Sequence, residues 1–230
     1  MLVSAMEGHR LWAPVYDSNP NPLLALERRI VRGLVRGRHL EKLPKRVVDA
    51  ACGTGRWMLH FHQAGAAVVG IDSSREMLAQ AARHGSLRSR LILGDAQNMP
   101  LADEIADLVI CSFAASYAGD LGRLMRELAR ITVRGGNVVV SDMHHSAVAA
   151  GWRRSFKIGV TVYELEHYDR SPDEIRAAGE AQGLRLDREE EASFDEEERA
   201  IFERAGKQHL YARVRKIPAV WAGMWIKPCC

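Results

Sequence analysis

The chain is poor in cysteine, with four residues in 230, at positions 52, 111, 229 and 230. Their spacing makes neither a disulfide framework nor a zinc site. They read as reduced thiols of a cytoplasmic protein, with Cys229 and Cys230 exposed at the end. Long apolar runs are missing as well. The opening MLVSAMEGHRLWAPVYD has no apolar stretch of signal-peptide length, and no later run approaches the roughly 18 apolar residues of a membrane span. Strong charge of one sign is also absent. A net charge of +3 would assist an anionic partner without demanding nucleic acid. No repeat, low-complexity tract or long linker divides the sequence, so one α/β domain is expected over residues 1–230.

What is present is a rhythm. From about residue 45 to 142, strand-period and helix-period segments alternate, the pattern of a parallel sheet covered by helices. Strands are expected at Arg46–Ala50, Ala67–Ile71, Leu91–Leu93, Ala106–Cys111 and Asn137–Ser141. Helices are expected at Leu23–Gly37, Arg56–Ala64, Ser74–His84 and Leu121–Ile131, with Arg134-Gly135-Gly136 as a turn. Thr161–His167 alternates like an exposed strand. Ser171-Pro-Asp-Glu opens a helix that runs to about Gln182, since it offers a cap, a proline at the first position and acids in the first turn. A further strand lies within Leu184–Ala192, a charged helix at Asp195–Arg213, and a final strand at Val220–Ile226.

The chemistry concentrates in Asp49-Ala-Ala-Cys-Gly53-Thr-Gly55, a glycine turn between a buried strand and a helix. Glycines there let a ligand approach the backbone, and the helix start offers free N–H donors. Asp72, ending the second strand, is placed to grip both hydroxyls of a ribose, and Asp95 ends the third strand similarly. Three acids at the carboxyl ends of successive strands converge on the crevice where open α/β sheets bind ligands. A dinucleotide fingerprint would continue to a third glycine or alanine, but Met58 stands there.

In this setting VVDAACGTGRW resembles motif I of the class I S-adenosylmethionine-dependent methyltransferases. VVGIDSSREML is similar to the motif that follows, LILGDAQNMPLADEIADLVICSFA to the family's G-D-A stretch and fourth strand, and LARITVRGGNVVVSDMHH to the segment before the active site. Val133-Arg-Gly-Gly replaces the usual Lys-Pro-Gly-Gly. The resemblance covers roughly residues 10 to 142. It implies a Rossmann-like sheet of seven strands with helices on both faces and the last strand antiparallel. It implies S-adenosyl-L-methionine as cofactor and S-adenosyl-L-homocysteine as product. Gly53 and Gly55, with Ala51, would cradle the methionine part, and Asp49 would position the loop or meet the ammonium group. Thr54 and Arg56 would neighbour the carboxylate. Asp72 would bind the ribose, Ser73 and Met77 would flank the adenine, and Asp95 and Ala96 would meet its edge. Cys111, Ser112 and Phe113 would lie under the transferring methyl.

Around this core, a helical lid is expected at about 10–40. Tyr16 and Asp17 would close over the cofactor, or Trp12 and Tyr16 would form an aromatic staple. Tyr117 has similar claims on cofactor or substrate. Acceptor-pocket elements are expected at about 145–170 and 195–217, rich in aromatics suited to a small molecule, with Arg153, Arg154 and Lys157 able to meet an acid group. His144 and His145, just past the fifth strand, are the candidate general bases, although positioning alone suffices for an activated sulfonium. Arg28, Arg29, Arg32, Arg36 and Arg38 read as a solvated helix face or as phosphate contacts. No aromatic platform accompanies them, which disfavours nucleic acid as a partner. Cys-Ser-Phe-Ala after the fourth strand likewise departs from the Asn-Pro-Pro-Tyr motif of base-nitrogen methylation. The sequence thus points to methylation of a small molecule, at a hydroxyl or carboxyl oxygen or else at carbon or nitrogen. A SAM-binding protein without catalysis and an RNA methyltransferase are the other readings. No Cys/His cluster has metal-ligand spacing.

Overall fold

The computed structural model describes residues 1–18, 20–36 and 44–229. Asn19, Gly37, Arg38 and Cys230 lie outside the described residues. In chain order, strand β1 (Leu2–Val3) and helix α1 (Ala5–Trp12) lead into α2 (Pro22–Arg36), β2 (Arg46–Ala50), α3 (Arg56–Gln63), β3 (Ala67–Asp72) and α4 (Arg75–Ala81). Then follow β4 (Leu91–Leu93), β5 (Ala106–Ser112), α5 (Leu121–Ile131), β6 (Thr132–Met143), α6 (His145–Ala149), β7 (Ser155–Ile158) and β8 (Thr161–Leu165). The chain closes with α7 (Pro172–Glu180), β9 (Arg185–Ala192), α8 (Glu196–Arg204), α9 (Gln208–Val214) and β10 (Val220–Ile226).

Seven strands form one sheet in the order β4-β3-β2-β5-β6-β10-β9. Strands β2 to β6 pair in parallel, and β10 runs antiparallel to both β6 and β9. The expected sheet, with its last strand reversed, is what the chain forms. Alternation along each strand explains the two cores. Val47, Leu108, Ile110 and Val139 face a layer holding Leu26, Ile30, Trp57 and Phe61 of α2 and α3. Val48, Val109, Cys111, Val138 and Val140 face Leu124, Met125 and Leu128 of α5, with Ile175 of α7 and the pair Trp221 and Trp225. Each such side chain withdrawn from water contributes about 1.5–3 kcal/mol, and the β-branched residues among them suit the pleated surface of a strand.

Three departures have local causes. The charged segment expected as one helix over Asp195–Arg213 is two, broken where Gly206 takes φ +65°. The Arg134-Gly135-Gly136 turn sits inside β6 as an irregularity. Ala106 pairs with Thr132, but Leu108 already pairs with Asn137, and the looped-out stretch is held by Gly135 N–H donating to the Lys227 carbonyl (2.8 Å). The alternating Thr161–Leu165 strand joins a separate three-stranded sheet, in the order β1-β8-β7, rather than the main one. No described helix is long and apolar enough to cross a membrane.

Candidate active site

The link from β2 to α3 turns in left-handed backbone. Ala51, Gly53 and Gly55 have φ of +59°, +55° and +84°. Side chains resist this region, and strain of this kind gathers at ligand sites. Phe113, just past β5, shares it at +54°. At Gly53 an added Cβ would meet nothing within 4 Å, so its α-face is an open cradle. Asp72 at the end of β3 braces this turn. Its Oδ2 accepts from Gly53 N–H and its Oδ1 from Ser74 N–H, both at 2.8 Å. Burial pushes the Asp72 carboxyl up, while these two N–H donors pull against it. Ser74 in turn caps α4 by accepting from Met77 N–H.

A cavity of about 950 Å³ opens over these strand ends, at the upper end for small-molecule sites. Of the residues expected to hold the cofactor, Tyr16, Ala51, Gly53, Asp72, Ser73, Met77, Asp95, Ala96, Ser112 and Phe113 line it. Asp49, Thr54, Gly55 and Cys111 lie behind that wall. Asp49 is 2% exposed. Its carboxyl is pushed up to about 7 by burial, with Arg56 working in the opposite direction. Burial likewise raises the Cys111 thiol. Thr54 donates from Oγ1 to Asp17 Oδ1 at 3.0 Å, which ties the segment after α1 to the glycine loop.

Beneath the cavity floor, Glu27 of α2 is wholly buried. Its Oε1 accepts from Trp57 Nε1 (3.1 Å) and from the Ser112 and Ser141 hydroxyls (2.8 Å each). Its Oε2 lies 2.7 Å from Arg56 Nη2, which also donates to Ser112 Oγ. One carboxylate thereby joins α2, α3, β5 and β6. Two buried polar atoms beside this network, Asp49 Oδ2 and Arg56 Nη1, have no partner.

The other wall is aromatic and cationic. Trp12 stacks on Phe156 at 4.9 Å and leans on Tyr16 at 4.8 Å, and Phe156 stacks on Tyr163. Arg154 forms a buried ion pair with Asp142 and lies over the rings of Tyr117 (4.9 Å) and Phe113 (5.6 Å). His9 of α1 lines the cavity with its ring edge-on to Tyr117 at 4.9 Å. Burial, then the Arg154 charge, pushes the His9 imidazole down to about 4. His144 and His145 are not among the lining residues. The His144 Nδ1 accepts from Ser146 N–H at the start of α6, and its Nε2 stands 3.4 Å from Glu191. On the far side of α2, Arg29 is bound to Glu198 at 3.1 Å, so that member of the arginine row holds α8 in place.

Sequence reasoning missed α1, and with it His9. The signal was there: Ser4 with Glu7 three residues on matches the capping pattern, and Ser4 Oγ accepts from Glu7 N–H. Glu27 gave no signal, because its partners lie 29 to 114 residues away in sequence.

Residues 48–140 match the family model described as a methyltransferase domain. Those residues therefore carry a methyltransferase domain. Among curated relatives, the chain is 38% identical over 111 residues to a malonyl-[acyl-carrier protein] O-methyltransferase of Pectobacterium atrosepticum, covering 47% of this chain and 44% of that protein. It is 33% identical over 136 residues to a demethylmenaquinone methyltransferase of Thermobifida fusca, covering 55% and 56%. The chain thus spans about half the length of the curated relatives it matches. Among solved structures, an S-adenosylmethionine-dependent methyltransferase from Mesorhizobium loti superposes with a TM-score of 0.65 at 21% identity, over 87% of this chain and 97% of that one. The [4+2]-cyclase SpnF gives 0.68 at 17% identity, over 100% and 98%. These last two likenesses are of fold. The loop suits the S-adenosylmethionine expected from the sequence: an open glycine cradle, a carboxylate ending β3, and an acid and a guanidinium with orphaned polar atoms behind them.

Proposed function

We propose that this chain transfers the methyl group of S-adenosylmethionine to an oxygen, hydroxyl or carboxyl, of a small molecule. The observation that carries the reading is the Asp72 carboxylate beside the Gly53 cradle, both facing one cavity large enough for two ligands. When bound, the cofactor supplies an electrophilic methyl on a sulfonium whose leaving group is a neutral thioether. The protein's own work is positioning. Asp72 accepts from the ribose hydroxyls, and Ser73, Met77 and Asp95 enclose the adenine. Arg56, held by Glu27, and Asp49 answer the two charges of the amino-acid end. Tyr16 and Trp12 close the cavity against water and offer π-faces to a cation.

An oxygen acceptor must lose a proton. His9 replaces His144 and His145 as the group placed to take it. Burial keeps the His9 imidazole uncharged at neutral pH, which leaves one ring nitrogen with a free lone pair. A weak base suffices, because the hydroxyl becomes strongly acidic as the new C–O bond forms. The O-methyltransferases among the relatives support oxygen. The demethylmenaquinone methyltransferases, with the flat faces of Trp12 and Phe156, support a quinone-type ring as a second reading.

Calorimetric titration with S-adenosylhomocysteine tests the core of this reading. Micromolar binding is expected, weakened at least thirty-fold in Asp72→Ala. A folded wild-type protein that does not bind would overturn it.

A further inference from the structure

The cavity is electrically lopsided. Of the acids lining it, Asp72 ends β3 and Asp95 lies two residues past β4, at one margin of the sheet. Five cationic side chains line the remainder, from the β7 segment and the turn between α8 and α9. Two of these are already committed: Arg154 to buried Asp142, and Arg153 to Glu164 at 3.4 Å. Among the described residues, Lys157, Arg204 and Lys207 form no ion pair, and all three are exposed at the mouth. Trp12 and Phe156 line the same cavity as a stacked apolar pair with no charge of its own.

We propose that the acceptor carries an anionic group, a carboxylate or a phosphate, at the end remote from the methyl-accepting atom, and that Lys157 and Lys207 with Arg204 bind it. The inference rests on the reading of the Asp72 end as the cofactor site. Charge placement supports it. Uncompensated cations facing one cavity raise the local concentration of anions. Low-dielectric walls on one side of them strengthen each attraction over its value in water. The order of features is that of an amphiphile: reacting atom under Phe113 and His9, apolar or flat middle along Trp12 and Phe156, anion at the rim.

The test uses two fluorescent probes on protein saturated with S-adenosylhomocysteine: anilinonaphthalene sulfonate, a flat arene with an anion, and phenylnaphthylamine, the same arene without it. Saturation is established first, and its failure in the wild type would overturn the cofactor reading and this one together. The sulfonate is expected to bind at least ten-fold tighter than the neutral dye. In the double variant Lys157→Gln/Lys207→Gln that preference should shrink to two-fold or less. The exposed apolar residues Leu2, Val160 and Val162 take up both dyes, so the ratio between dyes is what counts. Affinity for S-adenosylhomocysteine, read at the far end of the cavity, reports that the double variant is folded. Equal binding of the two dyes, or a sulfonate preference that survives the double substitution while the cofactor end stays intact, would overturn the proposal.

Discussion

Glu27 Oε2 and Arg56 Nη2 stand 2.7 Å apart in a buried ion pair that fixes the first turn after the glycine loop to the helix beneath it. Removing one member of such a pair strands the other in a medium that cannot solvate it, at a cost of about 3–5 kcal/mol. Glu27→Gln keeps an acceptor for Trp57, Ser112 and Ser141 but leaves Arg56 uncompensated. A melting temperature lower by roughly 6–20 °C is expected for a chain of this size. Adding Arg56→Gln should restore part of the loss. A double variant no better than Glu27→Gln would mean that the hydrogen bonds, not the charge pair, carry the energy.

The bond from Thr54 Oγ1 to Asp17 Oδ1, 3.0 Å, is a latch between the N-terminal segment and the loop. A hydrogen bond to a charged acceptor contributes about 1.5–3 kcal/mol, and here it holds the N-terminal segment against the glycine loop. Thr54→Val is nearly isosteric and removes only the donor. Stopped-flow measurement should show S-adenosylhomocysteine leaving about ten-fold faster, with its association rate within two-fold of wild type. An unchanged dissociation rate would make the bond a structural detail.

Met58 shows what the sequence could and could not disclose. Its bulk at the third fingerprint position argued against close helix–strand packing of the dinucleotide kind. The two elements nonetheless pack closely, because the missing volume is supplied from the other side: Gly70 of β3 lies under Met58, and an added Cβ there would meet the Met58 side chain and stand 2.8 Å from Cys52 Sγ. Local patterns of period, cap and turn made the strands, the glycine loop and Asp72 readable, since each is specified within a few neighbouring residues. Glu27 was unreadable because its environment is assembled from distant segments, and the Asp142 and Tyr117 partners of Arg154 were hidden for the same reason. Gly70→Ala is therefore expected to cost about 1–3 kcal/mol by overpacking, and Met58→Ala about 2–5 kcal/mol by leaving a void. The methyl of one fills part of the void of the other, so the double variant should lose at least 1 kcal/mol less than the sum in denaturant melts. Strict additivity would contradict the contact.

Asp49 and His9 tilt stability with pH in opposite directions. The His9 imidazole falls from 6.5 in the unfolded chain to about 4 in the folded protein. Between those values the unfolded state binds more protons, so this contribution is complete above pH 6.5 and is lost as pH falls towards 4. The Asp49 carboxyl rises from 3.8 to about 7. Between those values the folded state holds the proton and the unfolded state does not, so stability declines as pH rises from about 4 to 7. At about 1.4 kcal/mol per pH unit the limits are roughly 3 kcal/mol for His9 and roughly 4 kcal/mol for Asp49. Urea melts at a series of pH values separate them. The stability of Asp49→Asn relative to wild type should climb from pH 4 to 7, because the variant has no proton to lose. That of His9→Gln should climb the other way, from pH 6.5 down to 4, because the variant has no buried imidazole to be charged on unfolding. Parallel pH curves for wild type and Asp49→Asn would show that Asp49 is ionised in the folded protein throughout. Burial then would not dominate at this site, and Arg56 would have to.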